Sequence, residues 1–474
     1  MTKIQIPPYK KIAMICQGGG ALGAYQAGVY EGLSNAGIQP NWVLGISIGA
    51  INAALIAGNA PEKRVQHLHE FWESICRRPS LSAKAAFGTA DLLGTGLESI
   101  QEMTKNFMTK TFGSYSAMMA ILEGQPGFFN PRPFAPGYGK PSDISFYDTT
   151  PLIATLEKYV DFDRLNDPSN MRVSLGATNV RTGNFVYFDN RHTKLTPHHI
   201  LASGSLPPGF PATEIDGEFY WDGGCVSNTP LFYLMTDEID RADTLVFQVD
   251  LWSAKGELPG NIFEVMERQK DIQYSSRTRS ITDAVRNIHR MRQMLLATLD
   301  RIPESVRKAD PWFDHVAKQA FGSHYNVIQM IYQNKTNEGN YKDAEFSAET
   351  MQRHWSVGLE DTRKTLSDTS CLNMPAKEEN FVTFDIHRKE RYTAETPDPE
   401  QASVPMYTYE SSDSHGGTNH NTGLPLEKIK PRAKQAPARK TAAKKPAAKP
   451  TASTPPKRSE ERRVGKECLR LCRS

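Results

Sequence analysis

Gly45-Ile-Ser-Ile-Gly49 joins an apolar run, "NWVLGIS" from Asn41, to a helical run, "IGAINAALIAG" from Ile48. In a G-x-S-x-G turn the flanking glycines, here Gly45 and Gly49, permit the sharp bend that exposes the serine, and the following helix aims its positive end at the hydroxyl. Ser47 is thereby suited to attack a carbonyl carbon. A second glycine stretch, "ICQGGGALGAYQAG" from Ile15, places Gly18, Gly20 and Gly23 in G-x-G-x-x-G spacing between a strand-like run and a helix, the context of a dinucleotide site. Such a site needs an acidic residue at the end of the next strand to hold a ribose, but no Asp or Glu occurs between Gly37 and Pro61. Ser47 occupies that place instead. The two motifs complete each other as one acyl-transfer site: the amides of Gly18, Gly19, Gly20 and Ile48 are donors for the negative charge that develops on an attacked carbonyl oxygen.

A serine nucleophile needs a base. Asp222-Gly223-Gly224, within "FYWDGGCVSNTPL", follows a strand-like segment and can bring a carboxylate to the same crevice, although Asp-Gly-Gly taken alone is a plain turn. His192, His198, His199, His289, His315, His324 and His354 keep a histidine base open; each reads as a surface or internally satisfied residue, and none sits in a motif that brings it to Ser47. The His198-His199 pair, read as lying on a strand, would point to opposite faces and offers no metal site. No metal or cofactor is expected.

These residues need a scaffold. Ile12–Cys16, the run from Asn41, "MRVSLGATNV" from Met171, "NFVYFD" from Asn184 and "TLVFQVDL" from Thr244 read as strands, with helices over Ala24–Ala36 and from Ile48. Strands alternating with helices predict an α/β layered sheet covered on both faces. Gly28 and Gly32 in the first helix are read as letting it lie close to the sheet. Residues 79–145 hold a weakly amphipathic stretch and a Pro/Gly/aromatic loop, "GQPGFFNPRPFAPGYGKPS", which is either an insertion or lid over the site or a surface excursion. Residues 256–375 read as a helical C-terminal extension, 376–427 as an irregular linker and 428–457 as a disordered Lys/Ala/Pro tail without acidic residues. The 458–474 stretch, with "RSEERRVGKEC", resembles the translation of a sequencing adapter and is set aside.

The chain has 474 residues, 39% of them hydrophobic, enough for a large core, and its net charge of +3 reflects basic residues crowded towards the C-terminus. Six cysteines without C-x-x-C spacing point to neither disulfides nor zinc, which fits a reducing compartment. The apolar run after the first lysines is too short for a signal-peptide core and no run reaches transmembrane length, so a cytoplasmic protein is expected. The basic tail could attract an anionic membrane or granule surface; without interleaved aromatics, nucleic acid is a poor partner.

"QGGGALG", "GISIG" and "DGG", in this order, together with "ASGSLPPGFPATEIDGEFYWDGG" from Ala202, resemble the patatin-like phospholipase family over roughly residues 11–255, which implies an acyl hydrolase domain over residues 1–255. The resemblance implies a three-layer patatin-like α/β fold and a lipid acyl hydrolase. It further implies a Ser47/Asp222 dyad, with Asp222 as base, an acyl-enzyme on Ser47, and an oxyanion turn formed by Gly18, Gly19 and Gly20. Leu22 stands where the family's glycine turn commonly carries a basic residue, which favours a neutral acyl ester over a phospholipid head group. The competing reading is a scaffold of this fold that binds anionic surfaces through its tail.

Overall fold

The computed structural model describes residues 3–76, 116–133, 138–236, 241–275, 278–320, 323–333, 338–376, 381–385 and 390–392. Residues 1–405 gather into one compact unit. The tail, the 458–474 stretch and residues 79–115 of the expected insertion lie outside the described residues.

Twelve strands are described: β1 (Lys11–Cys16), β2 (Trp42–Ile46), β3 (Asn130–Pro131), β4 (Tyr147–Asp148), β5 (Arg172–Asn179), β6 (Phe185–Asp189), β7 (Thr213–Ile215), β8 (Glu218–Asp222), β9 (Thr244–Asp250), β10 (Tyr325–Ile331), β11 (Phe381–Asp385) and β12 (Glu390–Tyr392). Ten form one sheet in the order β12-β11-β10-β9-β1-β2-β5-β8-β7, with β6 also on β5; β3 and β4 make a separate antiparallel pair. The centre is parallel from β11 through β5, and β6, β7, β8 and β12 pair antiparallel.

β1 shows why the core strands read as unbroken apolar runs: a strand buried on both faces has no solvent side to alternate with. Met14 and Cys16 join the larger core, while Ala13 and Ile15 join the smaller one on the opposite face with Leu231, Leu234 and Met235. Helices α1 (Ala24–Asn35), α2 (Ile48–Ala57), α3 (Arg64–Ile75), α4 (Pro151–Tyr159) and α5 (Pro197–Gly204) belong to the first 255 residues. The 256–375 stretch carries α6 (Ile262–Tyr274), α7 (Thr278–Leu299) and α8 (Ala348–Ser367), but β10 lies within it and extends the sheet beside β9. β11 and β12 likewise fall where an irregular linker was expected. Parallel neighbours such as β9 and β10 are distant in sequence, so no local turn announces their pairing.

The small residues of α1 do permit a close approach, though to a different partner from the one expected. A Cβ on Gly28 would lie 2.0 Å from the Trp355 carbonyl oxygen, and one on Gly32 would lie 2.6 Å from the Thr362 side chain. From the other side, a Cβ on Gly358 would lie 2.1 Å from the Tyr25 carbonyl oxygen. The glycine stripe thus faces α8 and not the sheet. Gly28→Ala forces two backbones apart and is expected to cost about 3 kcal/mol, the upper range for overpacking a tight contact, measured as a shift in the denaturant midpoint at unchanged slope.

Candidate active site

Ser47 stands between β2 and α2 with φ 56° and ψ −124°. A non-glycine residue there stores about 1–3 kcal/mol of strain and persists only when its surroundings fix it. Two glycines create the room: a Cβ on Gly45 would lie 2.3 Å from the Gly49 carbonyl oxygen, and one on Gly49 would lie 2.2 Å from that of Cys16. A third element clamps the turn. The Ser47 amide donates to the Ser203 carbonyl (3.1 Å) and Oγ (3.0 Å), and Ser203 Oγ donates onward to the Gly176 carbonyl (2.7 Å). Ser203 lies on α5, so β2, β5 and α5 jointly hold the bend.

Asp222 ends β8 and is 2% exposed. Its amide donates to the Ser205 carbonyl (2.9 Å), its carbonyl accepts from Thr178 Oγ1 (3.1 Å), and its Oδ1 accepts from the Gly224 amide (2.7 Å). Gly223 is needed for packing, since a Cβ there would lie 2.7 Å from the Gly176 carbonyl oxygen. Ser47 and Asp222 line the same cavity, with the serine hydroxyl beside the carboxylate and favouring its charged form. Burial pushes the Asp222 carboxyl up to about 6, even though Ser47 and the Gly224 amide favour its charged form.

The glycine turn closes the opposite side. A Cβ on Gly18 would lie 3.1 Å from Ser47 Cβ, so the turn runs directly beside the elbow. Gly20 takes φ +56°, where a Cβ would lie 2.1 Å from the Asp343 carbonyl oxygen. Gly23 faces Ile48, a Cβ there lying 2.6 Å from the isoleucine side chain. No acceptor engages the amides of Gly18, Gly19 or Gly20 among the described residues, and the amide of Ile48, at the first position of α2, is left without an intrahelical partner by helix geometry.

Ser47, Asp222, Gly18, Gly19, Gly20 and Ile48 all line one cavity of about 320 Å³. Its far wall is aromatic: Phe128, Phe129, Tyr147, Phe210 and Phe346 meet at centroid distances of 5.0 to 6.1 Å. Phe128 and Phe129 come from the Pro/Gly/aromatic loop, so this part of residues 79–145 walls the cavity. Phe346, Ala344 and Asp343 come from the segment between β10 and α8. A nucleophilic hydroxyl, a carboxylate and unbonded amides at the mouth of a greasy chamber fit an ester with an apolar acyl chain.

Residues 14–235 match the patatin-like phospholipase family, and residues 272–378 match a second family described as patatin phospholipase. The chain carries a patatin-like phospholipase domain. It is a lipid acyl hydrolase with a mixed α/β patatin-like fold. Solved structures similar to it include VipD from Legionella pneumophila, at 13% identity and TM-score 0.33, covering 77% of this chain and 69% of that one. ExoU of Pseudomonas aeruginosa, solved with SpcU, matches at 18% identity and TM-score 0.22 over 57% of this chain and 50% of its own. No significant match exists among curated protein sequences.

In this patatin-like chain Leu22 is fully buried in the main core and does not line the cavity. Its side chain belongs to that core, so Leu22 itself makes no contact with a substrate in the cavity. Among the described residues no histidine lines the cavity. His198 and His199 lie on α5 and not on a strand, and His199 Nδ1 accepts from the Thr196 amide (3.1 Å). His354 sits behind the turn, with Nε2 2.7 Å from Glu338 Oε1. His324 Nδ1 is 3.0 Å from Asp243 Oδ1. No helix among the described residues is long and apolar enough to cross a membrane.

Three polar residues at the patatin-like site have no motif to betray them. Gln17 Oε1 accepts from the amides of Leu251 (2.6 Å) and Trp252 (3.0 Å), and its Nε2 donates to Thr229 Oγ1 (3.0 Å) and the Tyr274 carbonyl (3.1 Å). Asn228 Nδ2 donates to the Gly18 carbonyl (3.0 Å) and the Tyr274 carbonyl (2.8 Å), and Trp252 Nε1 donates to the Gly18 carbonyl (2.8 Å). The one signal in the sequence is position: Gln17 and Trp252 follow the ends of neighbouring strands, where open α/β sheets place their ligands.

Proposed function

We propose that the chain hydrolyses fatty-acyl esters through a Ser47/Asp222 dyad and an acyl-enzyme, without metal or cofactor. Asp222 takes the hydroxyl proton as Ser47 Oγ attacks the ester carbonyl carbon. The tetrahedral oxyanion is held by amides of Gly18, Gly19, Gly20 and Ile48. When it collapses, the alcohol leaves with the proton from Asp222 and the acyl group remains on Ser47. Asp222 then deprotonates a water molecule that attacks the acyl-enzyme, and Ser47 recovers its proton as the fatty acid departs. The observation that carries this reading is that Ser47, the buried Asp222 and the unbonded amides of Gly18, Gly19 and Gly20 line one cavity; burial that pushes the carboxyl up to about 6 leaves it ionised, yet basic, near neutral pH.

Acid-quenching turnover of a short-chain ester and locating the acyl group by peptide mass spectrometry tests it. An acyl adduct on Ser47 is expected, and an adduct on any other side chain overturns the scheme.

The same reading includes peripheral contact with a lipid surface. Leu122 (62% exposed) and Phe146 (54% exposed) flank the cavity-lining residues Ile121 and Tyr147, whose hydroxyl donates to the Ile121 carbonyl (2.8 Å). Inserting two such side chains into lipid contributes about 1.5–3 kcal/mol each. The double variant Leu122→Asp/Phe146→Asp is expected to hydrolyse lipid in vesicles at least ~10-fold more slowly, with turnover of a water-soluble ester unchanged. Equal loss on both substrates would instead mean damage to the cavity.

A further inference from the structure

We propose that Asn228 and Trp252 are positioning residues that lock the Gly18–Gly19 peptide in the orientation on which oxyanion binding depends; the inference rests on the dyad reading above. The Gly18 carbonyl accepts from both Asn228 Nδ2 (3.0 Å) and Trp252 Nε1 (2.8 Å). The peptide is trans, so its C=O and the N–H of Gly19 point in opposite directions. Fixing one fixes the other. With the carbonyl held by two donors, the Gly19 N–H is turned away from them, to the side where a carbonyl oxygen attacked by Ser47 would sit.

Such a lock is needed because the turn is made of glycine. Gly18-Gly19-Gly20 has little intrinsic preference between one peptide orientation and its reverse. A flipped peptide would present a carbonyl oxygen where a donor is required. The residues on either side supply only part of the restraint: Gln17 is braced through Leu251, Trp252, Thr229 and Tyr274, and Gly20 abuts the Asp343 carbonyl. The peptide between them is held through Gly18 alone.

The lock is itself anchored from the C-terminal half. Asn228 Nδ2 and Gln17 Nε2 both donate to the Tyr274 carbonyl at the end of α6. The Trp252 ring lies 5.4 Å from the Tyr274 ring and carries Lys342 Nζ 5.2 Å from its centroid. Lys342 in turn is ion-paired with Asp271 (2.7 Å) and Glu267 (3.2 Å) of α6. The two donors therefore arrive preset, and the oxyanion turn inherits its geometry from residues more than two hundred positions away, the Asn228 bond alone spanning 210.

Trp252→Phe removes one donor and keeps the ring stack; Asn228→Ala removes the other. One remaining donor holds the carbonyl less firmly than two, so each single variant is expected to lose roughly 3–10-fold in kcat on a soluble short-chain ester, and the double variant about 10²–10³-fold, the cost of losing one oxyanion donor. The double loss exceeds the product of the single losses. KM and the midpoint of the pH profile should stay within twofold and about 0.3 unit, because neither ground-state binding nor Asp222 ionisation depends on the latch. A folded double variant that keeps more than a third of wild-type kcat overturns the inference, as does a shift of the pH midpoint that accounts for the loss. If the double variant does not fold, Trp252→Phe decides: full kcat in that variant counts against the latch. Ser47→Ala, run in parallel, separates the two readings, since retained activity there defeats the dyad itself.

Discussion

Ser47→Ala is expected to lower kcat/KM for ester hydrolysis by at least about 10⁴-fold while the protein stays folded. Losing the nucleophile of a covalent mechanism removes the step that every later step needs, and in well-studied serine enzymes the loss is of this size or larger. The fold should not suffer, because alanine keeps the Cβ that serine already places at φ 56° and because the clamp on this residue runs through its amide, to Ser203. Initial rates on a soluble ester, with the thermal midpoint recorded on the same preparation, make the comparison. Activity within tenfold of wild type would sink the assignment of Ser47.

Asp222→Asn is expected to cost about 10²–10⁴ in kcat/KM, the usual worth of a positioned general base, and to abolish the acidic limb of the pH profile. In the wild type that limb should rise with pH and have its midpoint near 6, where burial places the Asp222 carboxyl. Stability runs the other way. An unfolded aspartate titrates near 3.9, so between pH 4 and 6 the native state binds the extra proton and stability falls as pH rises. Above pH 6 the buried carboxylate costs on the order of 3 kcal/mol, given its value of about 6. Asparagine cannot ionise, so the variant should unfold at a higher temperature than wild type at pH 7.5 and show no advantage at pH 4. A variant that is less stable at both pH values would mean that the carboxylate is not under this burial strain.

The elbow and its glycines were readable because they are local. β1, α1, β2 and α2 follow one another without interruption, and Gly45, Gly49 and Gly18 act within that unit, so spacing alone carries the geometry. Asp222 could be placed only by its company in a family pattern, because the contact between β8 and β5 is antiparallel and non-local. Asn228 and Trp252 could not be found at all: both reach Gly18 across more than two hundred positions, and an asparagine before Thr-Pro or a tryptophan after a strand looks like any turn residue or core residue. The stripe of Gly28 and Gly32 announced a close neighbour but not which one, since a missing Cβ records distance and carries no address. Leu22 shows the converse, a position legible as a departure from the family whose meaning changed once its burial was known.

The pairing of β10 with β9 has a consequence for how the gene can be cut. The two matched stretches, 14–235 and 272–378, invite division into a catalytic half and an accessory half. An excised first half ending near residue 255 would leave β9 as a bare edge with a row of unpaired amides and carbonyls, a template for joining other chains. It would also strip α8 from the glycine face of α1, take Asp343, Ala344 and Phe346 from the cavity wall, and deprive Gln17 and Asn228 of the Tyr274 carbonyl. Such a fragment is a recipe for inclusion bodies, and the sensible unit for expression, domain grafting or directed evolution runs unbroken from β1 to β11.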